Sequence, residues 1–228
     1  MNEEFAYANV KGYPLAEIHG RTFLVDTSMP FTLAERPLVL GGEKIEVADE
    51  VVGLSLGKIR SAIDLPMDGV LGANVTDRFA LRVKPQEQVI SLDDYQDALP
   101  IEVAVENLGG MPVMHETVNG QRLKAALAIG GPLSWVKSDL VAEMSPVGRD
   151  RDVLGFVGAV ETDIYELPVD IAYRQHKLRF GVLPEALEHL LDMANVQAII
   201  GSELIEHYAM SLNMREGELA LEPRRILH

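Results

Sequence analysis

Short apolar runs broken by glycine turns set the pattern of the first part of the chain. Pro14-Leu15-Ala16-Glu17-Ile18 and Thr22-Phe23-Leu24-Val25 lie either side of His19-Gly20-Arg21, which predicts a β-hairpin with His19 as a turn residue. The second run drives directly into Asp26-Thr27-Ser28. Pro30 and Thr32-Leu33-Ala34-Glu35 then interrupt the strand pattern. Leu38-Val39-Leu40 and Lys44-Ile45-Glu46-Val47 flank Gly41-Gly42, a second hairpin signal. Val51 to Ile63 alternates with small residues and predicts strand. Met67-Asp68-Gly69-Val70-Leu71-Gly72 closes two aliphatics with glycine. Val75 to Phe79 predicts a short amphipathic segment, and Ala80 to Val83 and Val89 to Leu92 predict strands.

Asp93 to Pro100 is acidic and ends in proline, as a solvated linker would. It divides the chain into an expected first lobe, residues 1–98, and a second, residues 99–228. Beyond it the order of signals begins again. Met111-Pro112-Val113-Met114 leads to the turn dipeptide Asn119-Gly120, and Lys124-Ala125-Ala126-Leu127 runs into Ala128-Ile129-Gly130-Gly131. Ser138 predicts an N-cap for a helix over Asp139 to Met144. Leu154 to Ala159 predicts a glycine-jointed hairpin arm, and Leu167 to Tyr173 and Lys177 to Val182 predict strands. Leu183, Leu187, Leu190 and Leu191 share one face of a predicted helix starting near Pro184. Ala198-Ile199-Ile200-Gly201 closes that region, ahead of Leu204 to Tyr208 and a strand pair ending at Leu221.

Placing Gly72 on Gly201, an offset of 129, aligns the two halves without gaps downstream. Val70-Leu71 meets Ile199-Ile200, Phe79 meets Tyr208, and Ile90 and Leu92 meet Leu219 and Leu221. A slip of one residue would reverse every strand face, so a matching order of burial signals indicates an internal duplication. Upstream the match needs gaps: Gly20 pairs with Gly120, and Leu24-Val25-Asp26 with Ala126-Leu127-Ala128.

Composition narrows the chemistry. The 228 residues contain no cysteine, which excludes disulfides, thiolate nucleophiles and zinc-thiolate sites. The formal net charge of −15 repels phosphate backbones and anionic bilayers, so neither nucleic acid nor membrane is an expected partner. The first residues carry no signal-peptide pattern and no run reaches transmembrane length, which gives a cytoplasmic expectation. The six histidines lack metal-type spacing. No Gly-x-Ser-x-Gly elbow or phosphate loop is present, so no cofactor is expected. Trp135, the only tryptophan, is expected to pack inside the second lobe.

The chemistry that remains is the carboxylate at the end of an apolar strand. With the duplication, Leu24-Val25-Asp26-Thr27-Ser28 and Val70-Leu71-Gly72 in one half, and Leu127-Ala128-Ile129-Gly130-Gly131 and Ile199-Ile200-Gly201 in the other, resemble the pepsin and retropepsin-like aspartic peptidases. The resemblance implies an all-β, two-lobe fold with a few short helices and an interlobe cleft. It implies Asp26 as a catalytic aspartate supported by Thr27 and Ser28. That chemistry shares one proton between two carboxylates, one acting as base on water and the other as acid. Ala128 stands where the second acid belongs, and Ile129 replaces the second hydroxyl that would brace the loops. Gly130 and Gly131 complete a degenerate motif.

Three expectations follow. In the first, the chain is a catalytically impaired relative whose cleft binds a peptide or protein. The second is an active hydrolase that completes Asp26 with a carboxylate from another segment or from a homodimer mate. The third is a structural module with the cleft closed by apolar side chains such as Met29 and Ile129.

Overall fold

The computed structural model describes residues 2–51, 53–95, 98–154 and 157–224. The first lobe is built from β1 (Asn2–Val10), β2 (Tyr13–Ile18), β3 (Arg21–Val25), β4 (Thr32–Ala34), β5 (Leu38–Leu40), β6 (Glu43–Ile45), β7 (Val47–Ala48), β8 (Glu50–Val51) and β9 (Leu54–Ser55). Helix α1 (Leu56–Ile63), β10 (Gly69–Leu71), α2 (Ala73–Thr76), β11 (Ala80–Lys84) and β12 (Val89–Asp93) follow. The second lobe contains β13 (Ile101–Ala104), β14 (Glu106–Leu108), β15 (Met111–Val118), β16 (Gln121–Leu127), β17 (Ser134–Val136), β18 (Gly148–Leu154), β19 (Gly158–Ile171) and β20 (Arg174–Val182). It ends with α3 (Glu185–Met193), β21 (Ala198–Ile200), α4 (Glu203–His207), β22 (Tyr208–Asn213) and β23 (Glu218–Pro223). The architecture is mainly β, as the pattern predicts. Among the described residues no helix is long and apolar enough to cross a membrane.

Two large sheets carry the structure. In the second lobe β15, β16, β21, β17, β20 and β19 close into a ring, because β15 pairs with β19 as well as with β16. An eleven-stranded sheet runs through both lobes in the order β13-β23-β22-β11-β12-β1-β2-β3-β10-β4-β7. The lobes join in it where β11 pairs antiparallel with β22, Arg82 opposite Ser211. The offset of 129 also carries Arg82 onto Ser211. The two repeats therefore meet on their own two-fold axis, and the register supports the duplication independently.

The same symmetry holds at the strand ends that matter for function. β3 runs parallel to β10 with Val25 beside Leu71, and β16 runs parallel to β21 with Leu127 beside Ile200. The next residues repeat the pattern: Asp26 N–H donates to Leu71 O at 3.0 Å, and Ala128 N–H to Ile200 O at 2.9 Å. Gly72 N–H bonds the Thr32 hydroxyl at 3.2 Å, as Gly201 N–H bonds that of Ser134 at 3.0 Å. Ala73 N–H donates to Met29 O, and Ser202 N–H to Gly131 O. Asp26 and Ala128, Thr27 and Ile129, Ser28 and Gly130, and Met29 and Gly131 are thus structural counterparts.

The hairpin turns fall where glycine predicts them: His19-Gly20 and Asn119-Gly120 both adopt positive φ, as a type I′ connection requires. Several other expectations are corrected. Val51 to Ile63 is not a long strand. Two short strands precede helix α1, because Leu56, Ile59 and Ile63 at spacings of three and four bury one helical face, and the Ser55 hydroxyl caps Lys58 N–H. Thr32–Ala34 continues the sheet as β4. Asp93 is no solvated linker residue: it ends β12, is buried, and lies 3.5 Å from the Arg82 guanidinium. Ser138 begins a single 3-10 turn to Val141, with Lys137 as its cap. Leu190, expected on the buried face of α3, is half exposed. Gly155 and Phe156 of the predicted hairpin arm lie outside the described residues; β18 and β19 on either side of them do pair.

Candidate functional site

Asp26 is the first residue past β3, where the apolar run ends and the chain turns beneath the second lobe. Thr27 behind it is fully buried. Its hydroxyl donates to Leu127 O at 2.6 Å and accepts from Ile129 N–H at 3.2 Å, tying the two strand ends together. Ile129 has no hydroxyl with which to reciprocate, so the brace is one-sided. Asp26 Oδ1 accepts the Ser28 N–H at 2.8 Å and the Ser28 hydroxyl at 2.7 Å. Burial pushes the Asp26 carboxyl above the usual carboxylate range, against the opposing bonds from Ser28 and the Met29 N–H. Oδ2 receives no hydrogen bond among the described residues, yet it is not sealed in protein.

Gly130 lies against that carboxyl, and a methyl group added there would overlap the Asp26 carboxyl carbon. At Gly131 an added methyl would come within 2.8 Å of Oδ2 of a second acid, Asp152. Asp152 sits on β18, is 2% exposed, and is held from both lobes. The Tyr13 hydroxyl of β2 donates to Oδ1 at 2.9 Å, Val153 N–H to the same atom at 2.7 Å, and Leu133 N–H to Oδ2 at 3.0 Å. Burial raises the Asp152 carboxyl to about 6; the three hydrogen bonds oppose the rise, and the negative charge of Asp26 adds to it. Burial, and after it the charge of the same carboxylate, drives the Tyr13 phenol far above its ordinary range, so Tyr13 remains a neutral donor.

Both carboxyls line one cavity of about 450 Å³. Its walls are apolar: Met111, Trp135, Leu154, Leu187, Leu191 and Ile199 enclose it, with Ala128 beside Asp26. Among the described residues, no lysine, arginine or histidine lines it. Leu108, Leu190 and Met193 also line it and are exposed, which explains why Leu190 leaves the core. Met29 and Ile129 are buried in the apolar clusters of the two lobes, and the space beside Asp26 stays open.

Asp26, Ser28, Ala128, Gly130 and Gly131 are thus brought to one cavity. Thr27 and Ile129 serve the brace behind it. Asp152 escapes the sequence reading because it lies between Arg151 and Val153 in a charged stretch that resembles an exposed strand. Its one signal is the period of two, which places it on the same strand face as Leu154. Tyr13 reads as an ordinary strand start.

A two-lobed β fold whose paired strand ends meet at an acid defines the aspartic-proteinase architecture. An aspartic proteinase from Irpex lacteus superposes along nearly the full length. It covers 98% of this chain and 97% of that one at 9% identity, with a TM-score of 0.54. A retropepsin-like aspartic protease from Rickettsia conorii covers 53% of this chain and 88% of its own, at 16% identity and a TM-score of 0.38. The simian foamy virus protease covers 41% and 91%, at 14% identity and 0.31. No family model and no curated protein matches the sequence. The full-length superposition shows a pepsin-like fold.

Proposed function

We propose that this chain is a catalytically impaired protein of the aspartic-proteinase fold that binds a peptide or another apolar ligand in its interlobe cavity. The observation that carries this reading is Ala128 at the symmetry-related place of Asp26. A methyl group cannot take or give a proton, and groups that act as a unit lose most of their joint effect when one is missing. The open apolar cavity beside Asp26 suits binding, and its volume falls in the range of small-molecule sites, roughly 300–1,000 Å³.

Asp152 favours a second reading, in which it supplies the second carboxylate from β18 and the protein is an aspartic hydrolase. Against that role, Asp152 comes from β18 and not from the strand end related to that of Asp26, where Ala128 stands. The face of Asp26 that a dimer mate would have to reach is covered by Gly130 of the same chain. One experiment separates the readings. The purified chain is incubated with a broad peptide library from pH 3 to pH 7, with and without pepstatin. The binding reading expects no cleavage, together with a change in Trp135 fluorescence on adding apolar peptides. Pepstatin-sensitive cleavage lost in both Asp26→Asn and Asp152→Asn would establish the hydrolase instead.

A further inference from the structure

The cavity is apolar along its length and anionic at one end. Asp26 Oδ2 has no protein donor among the described residues and borders open space. Asp152 Oδ2 accepts one bond, from Leu133 N–H, although a carboxylate oxygen can accept two. Neither acid forms a salt bridge with a described residue, and no described cationic side chain lines the cavity. Buried carboxylates ordinarily find a cationic partner as well as hydrogen bonds, and here no described residue supplies the cation, leaving that place on the ligand side. The apolar walls disfavour a hydrated metal ion or a polyamine, which would keep charged groups against Leu187, Leu191 and Ile199.

Resting on the cavity-binding reading, we propose that the natural ligand carries a protonated amine on an apolar body, with the amine seated between Asp26 and Asp152 and the body along α3. The free amino terminus of an apolar peptide and a small aliphatic amine share this chemistry. An ammonium group has three donors and no acceptor, matching the free lone pairs of the two carboxylates. The net charge of −15 would draw a cation toward the protein and repel an acid of the same shape.

Trp135 lines the cavity and is the only tryptophan, so its fluorescence reports occupancy directly. The full chain is titrated with nonylamine, nonanol and nonanoate below their aggregation concentrations. Nonylamine should bind at least about tenfold more tightly than nonanol, as expected for a charge-assisted hydrogen bond, and nonanoate most weakly. Asp26→Asn and Asp152→Asn should each weaken nonylamine by about tenfold and leave nonanol within about threefold. Leu187→Trp, read by calorimetry because it adds a second tryptophan, should abolish binding of all three. Equal affinity for amine and alcohol in the unaltered chain overturns the amine assignment, whether or not the variants fold, while leaving cavity binding intact. Binding that survives Leu187→Trp, or no binding of any probe or peptide, overturns the cavity reading itself. Leucyl-leucinamide with a free and with an acetylated amino terminus distinguishes the sources. A preference for the free form assigns the amine to a peptide end, and nonylamine binding without it assigns a small amine; both support the proposal.

Discussion

The two lobes build the same pocket from the same places in the fold and finish it in opposite ways. In the first lobe, Leu24, Met29 and Val70 from the strand ends and Ile59 and Ile63 from α1 leave a void of only about 20 Å³. In the second, Gly131 and Ile199 stand at the places of Met29 and Val70, and Leu187 and Leu191 of α3 take the part of the α1 residues, around about 450 Å³. The first lobe keeps the acid and fills its pocket; the second loses the acid and leaves its pocket open. The β18–β19 hairpin sharpens the contrast. Val153 lines both pockets, while Asp152 beside it lines only the second. The motif acid and the open space thus belong to different lobes, and the cavity brings the acid of one to the pocket of the other.

The largest expected effect comes from undoing the filling. Met29→Ala should open the first pocket and cost roughly 2–5 kcal/mol, read from urea denaturation. A cost well under 1 kcal/mol would mean that the first pocket collapses and that the asymmetry does not depend on Met29.

The charged side comes next. Asp152 has a carboxyl raised to about 6 from an ordinary 3.8, so between those values the folded chain holds a proton that the unfolded chain releases. Its contribution to stability therefore falls as pH rises through that window, by on the order of 3 kcal/mol in full. Tm should decrease from pH 4 to pH 7, and Asp152→Asn should flatten the part between about pH 4 and pH 6. Some slope should survive in the variant, because burial pushes Glu116 up to about 7. An unchanged slope in Asp152→Asn would refute the assignment.

The smallest pair of effects probes Ser28 and Gly130, counterparts on either side of Asp26. Gly130→Ala forces a methyl group into the Asp26 carboxyl and should cost about 1–3 kcal/mol. Ser28→Ala removes one hydrogen bond to Asp26 Oδ1 and should cost about 1 kcal/mol. Reversal of that order in denaturation experiments would show that the glycine is not held by close approach.

Much of this was readable before any coordinates. The hairpins at Gly20 and Gly120, the aliphatic-glycine closures at Gly72 and Gly201 and the replacement of an acid by Ala128 are all local patterns. Local patterns survive because turn chemistry and strand alternation act over a few residues. Helix α1 is not legible in the sequence, because Leu56, Ile59 and Ile63 lie in a glycine- and serine-rich stretch that also alternates. The burial of Asp93 is not legible either, because Arg82, its ion-pair partner, lies on the neighbouring strand.

The sequence alone determined the duplication, the single acid and the absence of its twin, since each depends on residue identity at positions that the repeat itself aligns. Only the tertiary structure decided that Asp152 joins Asp26 and that α3 leaves a cavity where α1 leaves almost none. The first outcome joins residues 126 apart in sequence (152 − 26), and both follow from how sheets close and side chains fill space rather than from any local pattern.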